Sequence, residues 1–505
     1  MKNRKLTALI IMDGFGIPKD FDKSGITPEN TVNLQKLQRE FPSTTLFASE
    51  EYVGLPAGQA GTSEVGHMTI GDGRVTFQPL VKINREIESG AFLKNKTLND
   101  AIDYASINHK KIHLIGLTSD GGIHSHIEHL FALLELCKKR KFFDVFIHFV
   151  SDGRDTEPKS VRRYLEQVNN YIKLVGCGKL ASIVGRFYAF DRDNNFDRNK
   201  LAYDLWVKAK GSKFEDYKLA IESAYKSGES DEFIKPIVLT NKGTPVAEIE
   251  KGDVVISYNF RADRERQLAF VMAEENGLDF VEKLNLYFVT MTEYDENFKN
   301  VHVVYKTESH DKILSQVLSE NGVKQVKIAE TEKYAHLTFF FNSGKQDTFE
   351  NEDRILINSK KMASYASCPE MSALKIADKA VEVLDKYDFI AINFANCDMV
   401  GHSGDKMATR KATQVVDECV KKVVDEVIKR GGQGIVTADH GNADIMEYDD
   451  HSPHTSHTIS KVPLILFGGG KVELRENGTL ADIAPTLLKM MDIKIPIEMT
   501  GKPLF

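Results

Sequence analysis

A chain of 505 residues has room for two or three domains. Its 66 Lys and Arg against 73 Asp and Glu leave a net charge of -7, which argues against the basic face that nonspecific nucleic-acid or membrane attachment needs. No apolar run reaches the roughly 20 residues of a membrane span. The basic start, residues 1–5, leads into an apolar stretch that ends at Asp13 without a small-residue cleavage site, and therefore reads as a strand. Five dispersed cysteines with no C-x-x-C pair fit a reducing cytoplasm.

In chain order, the first predicted strand is residues 6–12, closed by Asp13. The glycine-rich loop 58–67 follows, with Ser63 just ahead of a segment, 64–70, that can open a helix. A serine there gains backbone N–H donors and the positive helix end, which suit an incoming phosphoryl oxygen. Coordination to a metal is one way to make it nucleophilic. Taken alone, the same serine reads as an N-cap.

The middle of the chain alternates: a strand at 111–117, a helix through 127–137, a strand at 145–150, a helix near 160–173 and a strand at 181–184. That spacing predicts a mostly parallel sheet. Polar groups follow its strands. They are His124, then Arg154 with Asp155, then Arg186 and Arg192, and, past a strand at 254–258, Arg261 and Arg264. Guanidinium groups grip phosphate and carboxylate in bidentate fashion, so five arginines past strand ends predict a small polyanionic ligand. Any one of them could instead pair with a neighbouring aspartate.

Toward the C-terminus the apolar run 389–394 is followed by Asp398 and His402, one turn apart on a helix. The run 434–438 is followed by Asp439 and His440, and His457 lies in the histidine-rich stretch 451–458. Open α/β sheets carry their ligand-binding residues beyond strand C-termini. Asp13, Asp398, His402, Asp439, His440 and His457 are thus expected at one edge. Three carboxylates and three imidazoles suit two divalent cations, and a two-metal site points to phosphoryl transfer. His67, His451 and His454 are expected outside the ligand set, and Cys397 reads as a small apolar filler. Since ligand residues occupy both ends of the chain, the expected plan is α/β with a discontinuous metal domain, 1–76 and 310–505, interrupted by an inserted α/β domain, 77–309.

These segments resemble the cofactor-independent phosphoglycerate mutases. The resemblance is carried by Asp-Gly-Phe-Gly at 13–16, Gly-Thr-Ser-Glu-Val-Gly-His at 61–67 and Ser-Asp-Gly-Gly-Ile-His-Ser-His at 119–126. It continues through Ser-Asp-Gly-Arg-Asp-Thr at 151–156, Gly-Arg-Phe-Tyr-Ala-Phe-Asp-Arg at 185–192, Asn-Phe-Arg-Ala-Asp-Arg at 259–264 and Thr-Ala-Asp-His-Gly-Asn-Ala-Asp at 437–444. It implies an alkaline-phosphatase-like fold with an inserted transferase domain. One manganese site would comprise Asp398, His402 and His457, the other Asp13, Ser63, Asp439 and His440. Implied substrate contacts are His124, Arg154, Asp155, Arg186, Arg192, Arg261, Arg264 and Lys333; neither spacing nor periodicity singles out Lys333. The loop at residues 19–23 departs from the family in length and composition.

The implied reaction interconverts 3-phosphoglycerate and 2-phosphoglycerate through phosphoserine at Ser63. It uses no bisphosphoglycerate, and Asp155 is the candidate for moving the hydroxyl proton. The implied protein is a cytoplasmic monomer acting on a small molecule, with no nucleic-acid or membrane partner. A metal-dependent phosphatase or phosphopentomutase of the same superfamily would share the metal ligands. The middle-domain arginines and the Arg154–Asp155 pair favour the triose. A noncatalytic metal- or phosphate-binding protein would be expected to lack Ser63 or part of the ligand set.

Overall fold

The computed structural model describes residues 4–274, 277–306 and 310–505. They form two compact units, Met1–Gln78 with Ser309–Phe505, and Pro79–Glu308.

The first unit is built on an eight-stranded sheet to which both ends of the chain contribute. Thr7–Met12 lies between Phe389–Phe394 and Gln433–Thr437 and is parallel to both. Gln325–Glu330 and Glu352–Ile357 extend the parallel run on one side. On the other side Val462–Phe467 pairs antiparallel with Gln433–Thr437, and Ser43–Phe47 and Gly478–Thr479 complete the order. Every residue of the three central strands is buried. Helices cover both faces of such a sheet, so its strands are continuous apolar runs and not alternating ones. The helix Lys406–Lys429 shows the matching pattern, burying Val416, Val420, Val423, Val424 and Val427 at one-turn spacings against the core.

The second unit has its own nine-stranded sheet and apolar clusters on both faces of it. Val301–Tyr305, Tyr287–Thr292, Val254–Ser257, Ile112–Leu117, Val145–Ser151 and Lys179–Gly185 are neighbours and all parallel. Ile237–Asn241 then pairs antiparallel with the last of them. The predicted helices are Ile127–Lys139 and Val161–Val175; the latter turns Tyr164, Leu165 and Val168 inward. Among the described residues no helix is long and apolar enough to cross a membrane.

Candidate active site

In the first unit three adjacent parallel strands end side by side. Asp13 therefore lies next to Asp439 and His440, and next to Asp398 on the short helix Asn396–Gly401. All four are at most 2% exposed. Two glycines permit this crowding. Gly14 has φ +74, and a Cβ on it would fall 2.7 Å from the Asp398 Cα. A Cβ on Gly66 would lie 2.6 Å from the Asp439 carbonyl oxygen, so only glycine lets the helix Ser63–Asp72 settle on that loop.

Ser63 is the first residue of this helix, and Thr62 is its N-cap, accepting from the Val65 N–H. The capping role weighed for Ser63 belongs to its neighbour. The Ser63 hydroxyl is left to the cluster: its Oγ accepts from Lys333 Nζ at 2.7 Å, donates to Asp13 Oδ1 at 3.2 Å, and lies 3.0 Å from His440 Nε2. His402 and His457 complete the group. Their Nε2 atoms are 3.1 Å apart and sit 3.2 and 3.1 Å from Asp398 Oδ1.

Each of the three imidazoles has Nδ1 against a backbone carbonyl: His402 on Thr455 at 2.8 Å, His457 on Gly61 at 2.7 Å and His440 on Gly441 at 3.2 Å. With Nδ1–H donating there, Nε2 carries the lone pair and faces the carboxylates. This is the tautomer a metal ligand needs. Two sets of ligand atoms lie within 4.8 Å of one another: Asp398, His440 and His457, and Asp13, Asp439 and His440. His440 belongs to both, whereas the resemblance assigned it to one.

Charge balance fits a cation. Three carboxylates are buried together, and Lys333 is the lysine among them, 2.5 Å from Asp398 Oδ2 and 2.8 Å from Asp13 Oδ1. Asp439 Oδ2 is fully buried without a hydrogen-bond partner among the described residues, although His67 Nδ1 lies 3.0 Å away. Burial raises the pKa of Asp13 and Asp398, but Lys333 and the imidazoles overcome it and hold both well below the usual carboxylate range. Burial likewise opposes a charge on His440, yet Asp439, Asp13 and Asp398 push its pKa up to about 10.

A testable consequence follows from His440. Without metal it holds a proton that a cation bound at Nε2 would expel, so binding there should release at least that proton near neutral pH and tighten as pH rises. Its folded pKa is raised, so its contribution to stability is complete below the unfolded value near 6.5 and lost as pH climbs through about 10. Metal-free protein should therefore melt progressively lower across that window. Calorimetric titrations in buffers of different ionisation heat would count the proton, and zero release would contradict the assignment.

Two residues here were not among the sequence-derived candidates. Asn393 donates from Nδ2 to Asp13 Oδ2 at 2.8 Å and to His67 Nε2 at 3.0 Å, while His67 Nδ1 donates to the Ser63 carbonyl at 2.9 Å. Asn442 donates to Asp398 Oδ1 at 2.9 Å. The available signal was an asparagine inside an otherwise apolar strand. Of the histidines expected outside the ligand set, His451 is paired with Glu447 and the His454 ring lies tilted beside that of Tyr448.

In the second unit the expected cations gather beyond their strands. Arg186, 1% exposed, donates from Nη1 to Asp152 Oδ1 at 2.7 Å and Asp155 Oδ2 at 2.6 Å, and its Nε has no hydrogen-bond partner among the described residues. Asp263 gathers Arg192 at 2.9 Å, Arg261 at 3.2 Å and His124 at 3.5 Å. Arg264 donates to the Phe190 carbonyl, and Arg154, more than half exposed, reaches Glu232 at 3.5 Å. Individual arginines do pair with nearby acids, as each taken alone suggested. Together they remain cation-rich: burial, then Arg186, Arg192 and Arg154, lower the pKa of Arg264. Burial and Arg186 lower that of His124 to about 4, keeping it neutral. Such a cluster is electrostatically set for an anion.

Beneath it Glu265 is fully buried, hydrogen-bonded by Asn259 and by Ser257. Burial outweighs those bonds and pushes its pKa up to about 8. Folding thus takes up a proton between about pH 4.5 and 8, and stability falls as pH rises through that interval. Glu265→Gln should melt like the parent near pH 5 and above it near pH 9; a constant difference would contradict a neutral Glu265.

Aspartates and histidines around a helix-opening serine, at the C-terminal edge of a parallel sheet, define an alkaline-phosphatase-like α/β enzyme of phosphoryl transfer. Residues 83–296 match the family model described as BPG-independent PGAM N-terminus, and residues 349–487 match type I phosphodiesterase / nucleotide pyrophosphatase. The 2,3-bisphosphoglycerate-independent phosphoglycerate mutase of Acetivibrio thermocellus is 45% identical over 506 residues, 99% of each chain. That of Clostridium botulinum strain Langeland is 45% identical over 507 residues, with the same coverage. A crystal structure of Leishmania mexicana phosphoglycerate mutase at low cobalt concentration superposes with TM-score 0.54 at 27% identity, covering 100% of this chain and 99% of that one. With such likeness along its whole length, the chain belongs to the 2,3-bisphosphoglycerate-independent phosphoglycerate mutase family.

Proposed function

We propose that this enzyme interconverts 3-phosphoglycerate and 2-phosphoglycerate through a phosphoserine at Ser63, without bisphosphoglycerate. The observation that carries the reading is the Ser63 hydroxyl, held by Lys333, Asp13 and His440 in a chain 45% identical to such mutases. Two divalent cations, manganese by family resemblance, would be held by Asp13, Ser63, Asp439 and His440 and by Asp398, His402 and His457. They would supply Lewis-acid charge neutralisation and a more acidic serine hydroxyl.

The chain's own groups account for the rest. Ser63 attacks phosphorus in line, and Lys333, already a donor to Oγ, neutralises charge gathering on the transferring oxygens. Glycerate leaves with its former ester oxygen protonated. Arg186, Arg192, Arg261 and Arg264, together with neutral His124, suit its carboxylate and hydroxyls. Arg154 and Asp155 act on the hydroxyls, with Asp155 shuttling the proton between them. The other hydroxyl then takes the phosphoryl group from Ser63. The enzyme is read as a cytoplasmic monomer working on a free small molecule, with neither nucleic acid nor membrane as partner.

Phosphorus NMR of manganese-loaded protein with 3-phosphoglycerate alone tests this reading. The expected result is 2-phosphoglycerate with little inorganic phosphate. Phosphate as sole product would make the enzyme a phosphatase.

A further inference from the structure

Five cysteines are buried in the first and second units, and only one of them, among the described residues, has its sulfur against a charged nitrogen. Cys137 and Cys419 are packed in apolar core clusters, Cys177 Sγ faces the Phe142 carbonyl, and Cys397 Sγ faces Thr413. Cys368 instead lies 2.7 Å from Lys360 Nζ and 2.9 Å from Glu370 Oε1, and the same Oε1 is 2.9 Å from Lys360 Nζ. The three groups close a triangle in which the thiol is 8% exposed, while Lys360 and Glu370 reach solvent.

The spacing is the informative feature. An N–H···O bond is about 2.9–3.0 Å long, and sulfur is the larger atom, so a relaxed N–H···S contact should be longer still. At 2.7 Å, nitrogen and sulfur are instead close enough for a single oxygen atom to bridge them. The carboxylate within reach of both can receive their protons.

We propose that Lys360 and Cys368 form an oxidative modification site, a covalent Nζ–O–Sγ link made with dioxygen or peroxide. In the dioxygen form, the Lys360 ammonium first passes a proton to Glu370 Oε1, 2.9 Å away; the resulting amine gives up one N–H hydrogen and Cys368 its S–H hydrogen. One oxygen atom forms the new N–O and O–S bonds, and the other leaves with both hydrogens as water. Nitrogen and sulfur together lose four electrons and dioxygen gains four. With peroxide, two molecules are consumed and three waters leave. Glu370 Oε1 relays the protons, and four equivalents of a thiol reductant reverse the link, giving back lysine and cysteine, two disulfides of the reductant and the bridging oxygen as water.

The link would fix a particular segment. Lys360 follows the edge strand Glu352–Ile357, and the residue after Cys368 is Pro369, whose carbonyl accepts from Asn396, first residue of the helix that carries Asp398. Joining Lys360 to Cys368 therefore braces one side of that helix. The site does not depend on the mutase reading.

Peptide mass spectrometry decides it. Cleavage after glutamate yields a fragment, residues 353–370, that contains both partners. From aerobic or peroxide-treated full-length protein this fragment should be about 14 Da heavier, with no backbone fragment ions between the two residues. Thiol reductant should restore the original mass, and Lys360→Arg and Cys368→Ser should each prevent the gain. An unchanged fragment after peroxide would overturn the proposal. So would gains of about 16 or 32 Da that fragment ions place on Cys368, and not on the exposed Met362 of the same fragment, and that persist in Lys360→Arg, since they mark ordinary oxidation of the cysteine.

Discussion

Replacing Ser63 with alanine is expected to lower mutase turnover by about 10⁴-fold or more, because the adjacent hydroxyl, that of Thr62, is engaged in capping the helix. The fold should tolerate the change. Ser63 is not the helix cap, since Thr62 has that role, and alanine favours a helical first turn. Metal content should stay close to that of the parent, because Asp13, Asp439, His440, Asp398, His402 and His457 all remain. Turnover within tenfold of the parent would remove Ser63 from the chemistry. Loss of metal with the fold intact would instead make it chiefly a ligand.

Lys333→Met carries the second large effect, and it should differ between metal-free and metal-loaded protein. In the metal-free state Lys333 Nζ is the close lysine partner of Asp13 and Asp398, and both carboxylates are buried. Burial opposes its charge, yet Asp13, Asp398 and Asp439 raise its pKa above the ordinary lysine value, so it is an ammonium. Removing one partner from such a buried group costs about 3–5 kcal/mol. Manganese should restore much of that loss, since divalent cations would neutralise the same carboxylates. Turnover should nonetheless stay about 10²–10³-fold down, the cost of deleting one donor to the transferring oxygens. Thermal melts with and without manganese, paired with kcat, check both parts. Equal destabilisation in the two states would make Lys333 a structural lysine only.

How much of this was legible in the sequence follows from how each residue reaches the site. Asp13, Asp439 and His440 close apolar runs, and a parallel strand buried on both faces announces itself as such a run. His402 is four residues from Asp398, and the turn between them is helical, so one spacing placed both. Lys333 left no comparable trace. It sits in a five-residue helix, Thr331–Ala335, that runs into a π-helical turn, and its partners Ser63, Asp13 and Asp398 are all distant in sequence. Family resemblance supplied it; periodicity could not.

Asn393 was visible as a polar residue in a buried strand, but only the packing of the Ser63–Asp72 helix shows that it links Asp13 to His67. In the second unit the arginines were legible from their places after strands. The Arg261–Asp263 pair is local, but the contacts of Arg186 with Asp152 and of Arg192 with Asp263 were not legible, because they join loops from different strands.

The most direct measurement is to trap the intermediate. Manganese-loaded protein mixed with 3-phosphoglycerate, quenched in acid within milliseconds to seconds and digested, should yield a peptide about 80 Da heavier with the phosphate on Ser63. The label should form no more slowly than 2-phosphoglycerate does and disappear when substrate is exhausted in the presence of a phosphoglycerate-consuming enzyme. Conversion at full rate in Ser63→Ala, or phosphate found on another residue in its place, would contradict the account.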